Sequence, residues 1–142
     1  MTGTWPFWAL SSAVFAAATA ILAKLGVAEV EADLATFLRT LVVLALLAAI
    51  VTVGGQWRSL GSLSPRGTGF LVASGLATGA SWLCYFRAMA LGDAARVAPV
   101  DKLSVVLVAV FAVCFLGERL DLGDWSAIVM IFAGVLLLAV RS

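Results

Sequence analysis

The residues of this chain that could do chemistry are few, and most stand at the ends of long apolar runs. Residues 96–120, RVAPVDKLSVVLVAVFAVCFLGERL, carry Pro99, Asp101 and Lys102 at the entry and Gly117, Glu118 and Arg119 at the exit, with no charged side chain at 103–117. A helix that keeps its ionisable groups at its two ends suits lipid, and an acid and a base just inside its start mark either a site or a structural ion pair. Arg39 and Arg87 fall inside other apolar runs. A buried guanidinium can receive an anionic or zwitterionic solute or be held by a carboxylate. On a helix, Thr78, Trp82, Tyr85 and Met89 share one face through spacings of four, three and four, a lining suited to amphipathic solutes.

Composition dictates what must position these groups. Of 142 residues 63% are hydrophobic and 12% charged, and mean hydropathy is +1.13. Soluble domains carry roughly a quarter charged residues, so lipid is the solvent for most of this surface. The net charge of +1 offers no clustered cations for nucleic acid. There is no histidine, which removes the commonest metal ligand and neutral-pH base. Cys84 and Cys114 lie in apolar runs and read as small hydrophobes. No phosphate loop, catalytic triad or metal cluster is spelled out, so the sequence implies neither an enzyme nor a cofactor or metal.

A hydrocarbon core about 30 Å thick takes about 20 helical residues. Five segments meet that need, at 5–24, 34–53, 67–91, 95–116 and 124–140, and their length and lack of alternation exclude strands. Trp5, Trp8, Trp57 and Trp125 fall near span ends, where indole suits the interface. The first run ends in Ala18-Thr19-Ala20, but no Lys or Arg precedes it, so it reads as a true span and not a signal peptide. Its Ser11, Ser12, Ala16, Thr19, Ala20 and Ala23 suit close packing, as does the Gly75-x3-Gly79 pattern of the third span. Pro99 is expected in a helical first turn, where a missing N–H costs nothing.

The connections are short, and Gly92-Asp93-Ala94 makes the third and fourth helices a hairpin. That topology sets Arg87 and Asp101 at similar depth, where an ion pair between them would staple or gate one mouth. Orientation is poorly specified. With a cytoplasmic N-terminus, Arg58, Arg66 and Arg119 lie inside and Lys24, Arg96 and Arg141 outside, a tie that Arg39, Arg87 and Lys102 tip toward N-out. Five spans put the termini on opposite faces, so a chain without bias can insert both ways and pair antiparallel with itself.

The stretch at 96–120, with VAP at its entry and FLGERL at its exit, resembles the EamA-domain family of the drug/metabolite transporter superfamily. Trp125, Gly134, Arg39 and the run YFRAMALG at 85–92 support the likeness, which covers nearly the whole chain. The resemblance implies an all-α membrane protein with a single EamA-type five-helix domain at 3–141, half of a ten-helix transporter whose halves are oppositely oriented. It implies a multi-pass location in the cell (inner) membrane and a small-molecule substrate such as an amino acid or related metabolite. A working unit would then need an inverted partner, either an antiparallel homodimer or a second half-length protein. The smaller multidrug-resistance relatives have four helices and a carboxylate in the first. No acid interrupts the first span here, so drug-cation antiport is not carried over. On this basis Arg39, Thr78, Trp82, Tyr85 and Met89 are expected at a substrate cavity, Arg87, Asp101 and Lys102 at a gate, and Gly75 and Gly79 in helix packing. The rival is a non-transporting scaffold or modulatory subunit, which would be a dry Gly/Ala-packed bundle with no wet polar cavity.

Overall fold

A computed structural model of the chain describes residues 4–140. Arg141, which entered the charge count, and the outer limits of the expected 3–141 domain lie outside the described residues. Five helices are long and apolar enough to cross a membrane, at Trp5–Gly26, Ala32–Val53, Pro65–Leu91, Ala94–Leu116 and Leu122–Val140, and the chain is an all-α membrane protein. Among the described residues no strand is present. The helices fall into two compact units, one through Leu91 and the other from Gly92 onward.

The first unit holds α1 (Trp5–Gly26), α2 (Ala32–Val53) and α3 (Pro65–Leu91), with a 3-10 helix at Gln56–Ser62 joining α2 to α3. Each helix satisfies its backbone internally, as hydrocarbon requires. Hydroxyls do the same: Thr36, Thr40, Thr52, Thr68 and Thr78 each donate to the carbonyl four residues back, at 2.7–3.0 Å. Gly55, at φ +64°, makes the left-handed turn that leaves α2. Asp33, one residue before the expected start of the second span at 34, lies in the first turn of α2, where an acid complements the helix dipole. Ala20 and Ala23 are the buried residues of α1, Thr36 that of α2, and Phe86 and Met89 those of α3. The core of this unit therefore gathers at one end, where α1 and α3 finish and α2 starts. Most large apolar side chains of the three helices, such as Phe7, Phe15, Leu46 and Phe70, are exposed and present hydrocarbon to the bilayer.

In the second unit the fourth span is broken into α4 (Ala94–Asp101) and α5 (Leu103–Phe111), followed by a π turn at Ala112–Leu116; α6 is Leu122–Val140. Pro99 is not in the first turn, as expected, but inside α4. There its missing N–H leaves a gap in the helical ladder. Just beyond it the chain tightens: the Lys102 N–H donates to the Pro99 carbonyl at 2.9 Å and the Val105 N–H to the Lys102 carbonyl at 3.0 Å, each three residues back. At the other end Gly117 takes φ +69°, and the Glu118 N–H reaches back to the Ala112 carbonyl at 3.2 Å. This is a glycine C-cap lengthened by the π turn. α6 starts two residues before the expected Asp124 because Asp121 and Asp124 cap each other: the Asp124 N–H donates to Asp121 Oδ1 at 2.8 Å and the Asp121 N–H to Asp124 Oδ2 at 3.0 Å.

Gly117 is thus required by its backbone, since a Cβ there would meet no atom within 4 Å. Gly117→Ala is expected to cost about 1–2 kcal/mol, read as a fall of several degrees in the thermal midpoint of the detergent-purified chain. Gly134→Ala, placed mid-helix with open space around it, is expected to leave the midpoint unchanged or raise it.

Candidate functional site

The polar groups of the first unit are organised by the antiparallel packing of α2 on α3. From Asp33 to Arg39 is six residues, about 9 Å of helix, and from Arg87 back to Trp82 is five, about 7.5 Å. The two helices therefore present matching rungs. On the outer rung Arg87 grips Asp33 with two parallel bonds, Nε to Oδ1 at 2.9 Å and Nη2 to Oδ2 at 2.7 Å, the geometry that makes guanidinium–carboxylate pairs specific. Both side chains are more than half exposed. At the same end Lys24 Nζ donates to the Met89 carbonyl at 2.8 Å. Polar bonds thus tie all three helices together where α2 begins.

On the inner rung the Arg39 guanidinium carbon lies 4.0 Å from the centre of the Trp82 ring and 5.5 Å from that of Phe86. Arg39 is half-buried. Among the described residues it forms no salt bridge and donates no hydrogen bond to the protein. Its place is about 10 Å along the helix from Ala32, within the roughly 15 Å half-thickness of a hydrocarbon core. Cation–π contacts of this kind contribute about 0.5–2 kcal/mol, whereas an arginine at the centre of a span costs roughly 2.5–3.5 kcal/mol. The rings offset part of that cost, and the in-plane N–H groups still call for water or an anion.

Two cavities flank this stack. The first, about 370 Å³, is lined by Thr19, Leu22, Ala23, Gly26, Val30, Ala35, Leu38, Arg39 and Phe86. The second, about 430 Å³, runs along the α2–α3 seam past Thr40, Leu47, Ser74, Gly75, Thr78 and Trp82. Both are of a size that holds a small solute. Neither lining includes an acid.

The expected cavity residues separate accordingly. Arg39 lines the first cavity, Thr78 and Trp82 the second. Tyr85 lines neither of these two; its ring meets Phe86 edge-on at 6.3 Å between centres. Met89 lines neither of these two and is fully buried. Gly75 and Gly79 border the second cavity, and a Cβ added at either would meet nothing within 4 Å. Arg87 and Asp101, expected as a pair, lie in different units, and each has a partner within its own. Arg87 is held by Asp33, and Lys102 Nζ lies 3.1 Å from Asp101 Oδ2, at the break between α4 and α5. The helix-end geometry that favoured Asp101 applies equally to Asp33, because α2 begins at the end where α3 finishes. Sequence reasoning also missed Phe86, whose adjacency to Arg39 depends on the packing of α2 on α3.

Residues 3–140 match the EamA-like transporter family. A protein of Sinorhizobium sp., "Uncharacterized transporter in cobO 3'region", is 59% identical over 140 residues, covering 99% of this chain and 99% of that protein. No solved structure matches the chain significantly.

The Asp33–Arg87 latch makes a quantitative prediction. Asp33→Ala and Arg87→Ala should each lower the thermal midpoint, and the double variant should lie no lower than the worse single one, since both remove the same interaction. Additive losses would mean that the two side chains act independently.

Proposed function

We propose that this chain, which belongs to the EamA-like transporter family, is a half-transporter that moves small metabolites, amino acids or related solutes among them, across the cell (inner) membrane by alternating access. The observation that carries this reading is Arg39: a cation within a span, stacked on Trp82, unpaired with any carboxylate among the described residues and bordering a cavity of solute size. A polar group so placed in a multi-pass membrane protein is by default a group on a solute path. Thr78 and Trp82 extend that path along α2 and α3, with Gly75 and Gly79 keeping it open. Tyr85 stays close to the path through Phe86.

The working unit in this proposal is an inverted pair of five-helix domains, each spanning residues 3–141. The tied charge count supports it, because the loops give little preference for either insertion. Inverted repeats with a site near the midplane are a common construction for secondary transporters. The break at Pro99–Lys102 fits the same pattern, since discontinuous helices accompany such sites. Arg87, held by Asp33, then holds or gates one mouth of the path, and the Asp101–Lys102 pair marks the break in the fourth span.

Single cysteines near each terminus, in a background free of Cys84 and Cys114, test the proposal with a membrane-impermeant thiol label on intact and inverted membranes. Comparable labelling of each terminus from both sides is expected. A single fixed orientation would overturn the self-inverted pair and require an oppositely inserted partner chain.

A further inference from the structure

The charge distribution around Arg39 narrows the solute. Resting on the proposal that Arg39 faces the transport path, we propose that the site selects monoanions, solutes with one carboxylate on an apolar body, over zwitterions and cations, which narrows the solute range proposed above and makes amino acids the poorer solutes within it. The guanidinium lays one face against Trp82, which leaves its N–H groups pointing outward in the plane, the fork that matches a carboxylate. Among the described residues none of those N–H groups is engaged by the protein. The acid on the next rung, Asp33, lies about 9 Å away along the helix, and its charge is balanced by Arg87 through a bond to each oxygen.

A zwitterion or cation would also bring an ammonium, and the walls provide no counter-charge. Apart from Arg39, the first cavity offers only the Thr19 hydroxyl, and the second offers Thr40, Ser74 and Thr78. The hydroxyl oxygens of Thr40 and Thr78, whose protons are donated to their own helices, can accept from an ammonium but carry no charge to neutralise it. Taking an ammonium out of water without an anionic partner is costly, and Arg39 would repel it. The rest of both linings is hydrocarbon from Leu22, Leu38, Val43, Leu44, Leu47 and Leu71, which suits an apolar body. In an inverted homodimer the second copy brings a second Arg39 and again no acid in these walls. A free carboxylate and the anionic headgroup of a lipid share this chemistry, and the test separates them.

Three probes with the same ring and different charge decide the matter: 3-phenylpropionate, phenylalanine and 2-phenylethylamine, titrated calorimetrically into the purified full chain in phosphatidylcholine nanodiscs. Phenylpropionate is expected to bind at least tenfold more tightly than either of the others. Arg39→Gln should weaken it tenfold or more, Arg39→Lys less, and Arg58→Gln in the 3-10 connection not at all. Should Arg39→Gln fail to fold, the charge preference of the unmodified chain and the Arg39→Lys variant still decide. Equal or tighter binding of phenylalanine or phenylethylamine overturns the inference, as does the absence of phenylpropionate binding. Loss of phenylpropionate binding when phosphatidylglycerol is added to the discs would assign Arg39 to a lipid headgroup and also overturn it. In each of these cases labelling of both termini from both sides would leave the transporter reading standing.

Discussion

A guanidinium inside a membrane span has to be stabilised by something other than bulk water, and in this chain Arg39 is stabilised by the faces of two aromatic rings. That contact goes with one register of α2 against α3, the one that sets Arg39 over Trp82 and beside Phe86. The same register brings Asp33 to Arg87 one rung further out. The arrangement separates two tasks that a single arginine could not perform together. Arg87 spends its charge on a carboxylate and closes one end of the three-helix unit. Arg39 keeps its hydrogen-bonding edge available.

Packing follows from how little core such a chain needs. In the first unit the buried apolar residues are Ala20, Ala23, Phe86 and Met89, all at the end where Lys24 and Arg87 make their bonds. Small residues on α1 let it approach α3 closely there. Elsewhere the helices present Leu, Val and Phe outward, because lipid accepts them without cost and no compact interior is required. The second unit departs from regularity twice in one span, at Pro99–Lys102 and at the π turn before Gly117. The first break collects the charged residues of that span's entry, and the second lets a glycine cap its exit.

The five spans were legible in the sequence because lipid imposes a length and a hydropathy that few other environments do. Their ends were legible to within about two residues, and the differences have local causes, such as the reciprocal caps of Asp121 and Asp124 that start α6 early. Arg39 and Trp82 could be singled out separately, as a cation and an indole in apolar runs, but not as a pair, since helical spacing says nothing about rotation against a neighbour. Arg87 illustrates the same limit. Asp33 satisfied the same depth argument as Asp101, and the packing of α2 on α3 is what brings Asp33 to Arg87. Met89 shared a helical face with Trp82 and Tyr85, yet it is fully buried whereas Trp82 lines a cavity, a difference that helical spacing alone does not give. Gly75 and Gly79 form a motif that permits close packing, but here they border open space.

Whether Arg39 stands in a wet path or in a dry bundle separates a transporter from a membrane scaffold of the same helices. The most direct measurement is the reactivity of single cysteines introduced at Thr40, Thr78 and, as a lipid-facing control, Phe70, in the Cys84/Cys114-free background, toward a charged membrane-impermeant thiol reagent. A transport path predicts modification at 40 and 78, slowed by a bound solute, and none at 70. Three unreactive positions would contradict the account, leaving Arg39 in a dry seam and the chain a structural subunit.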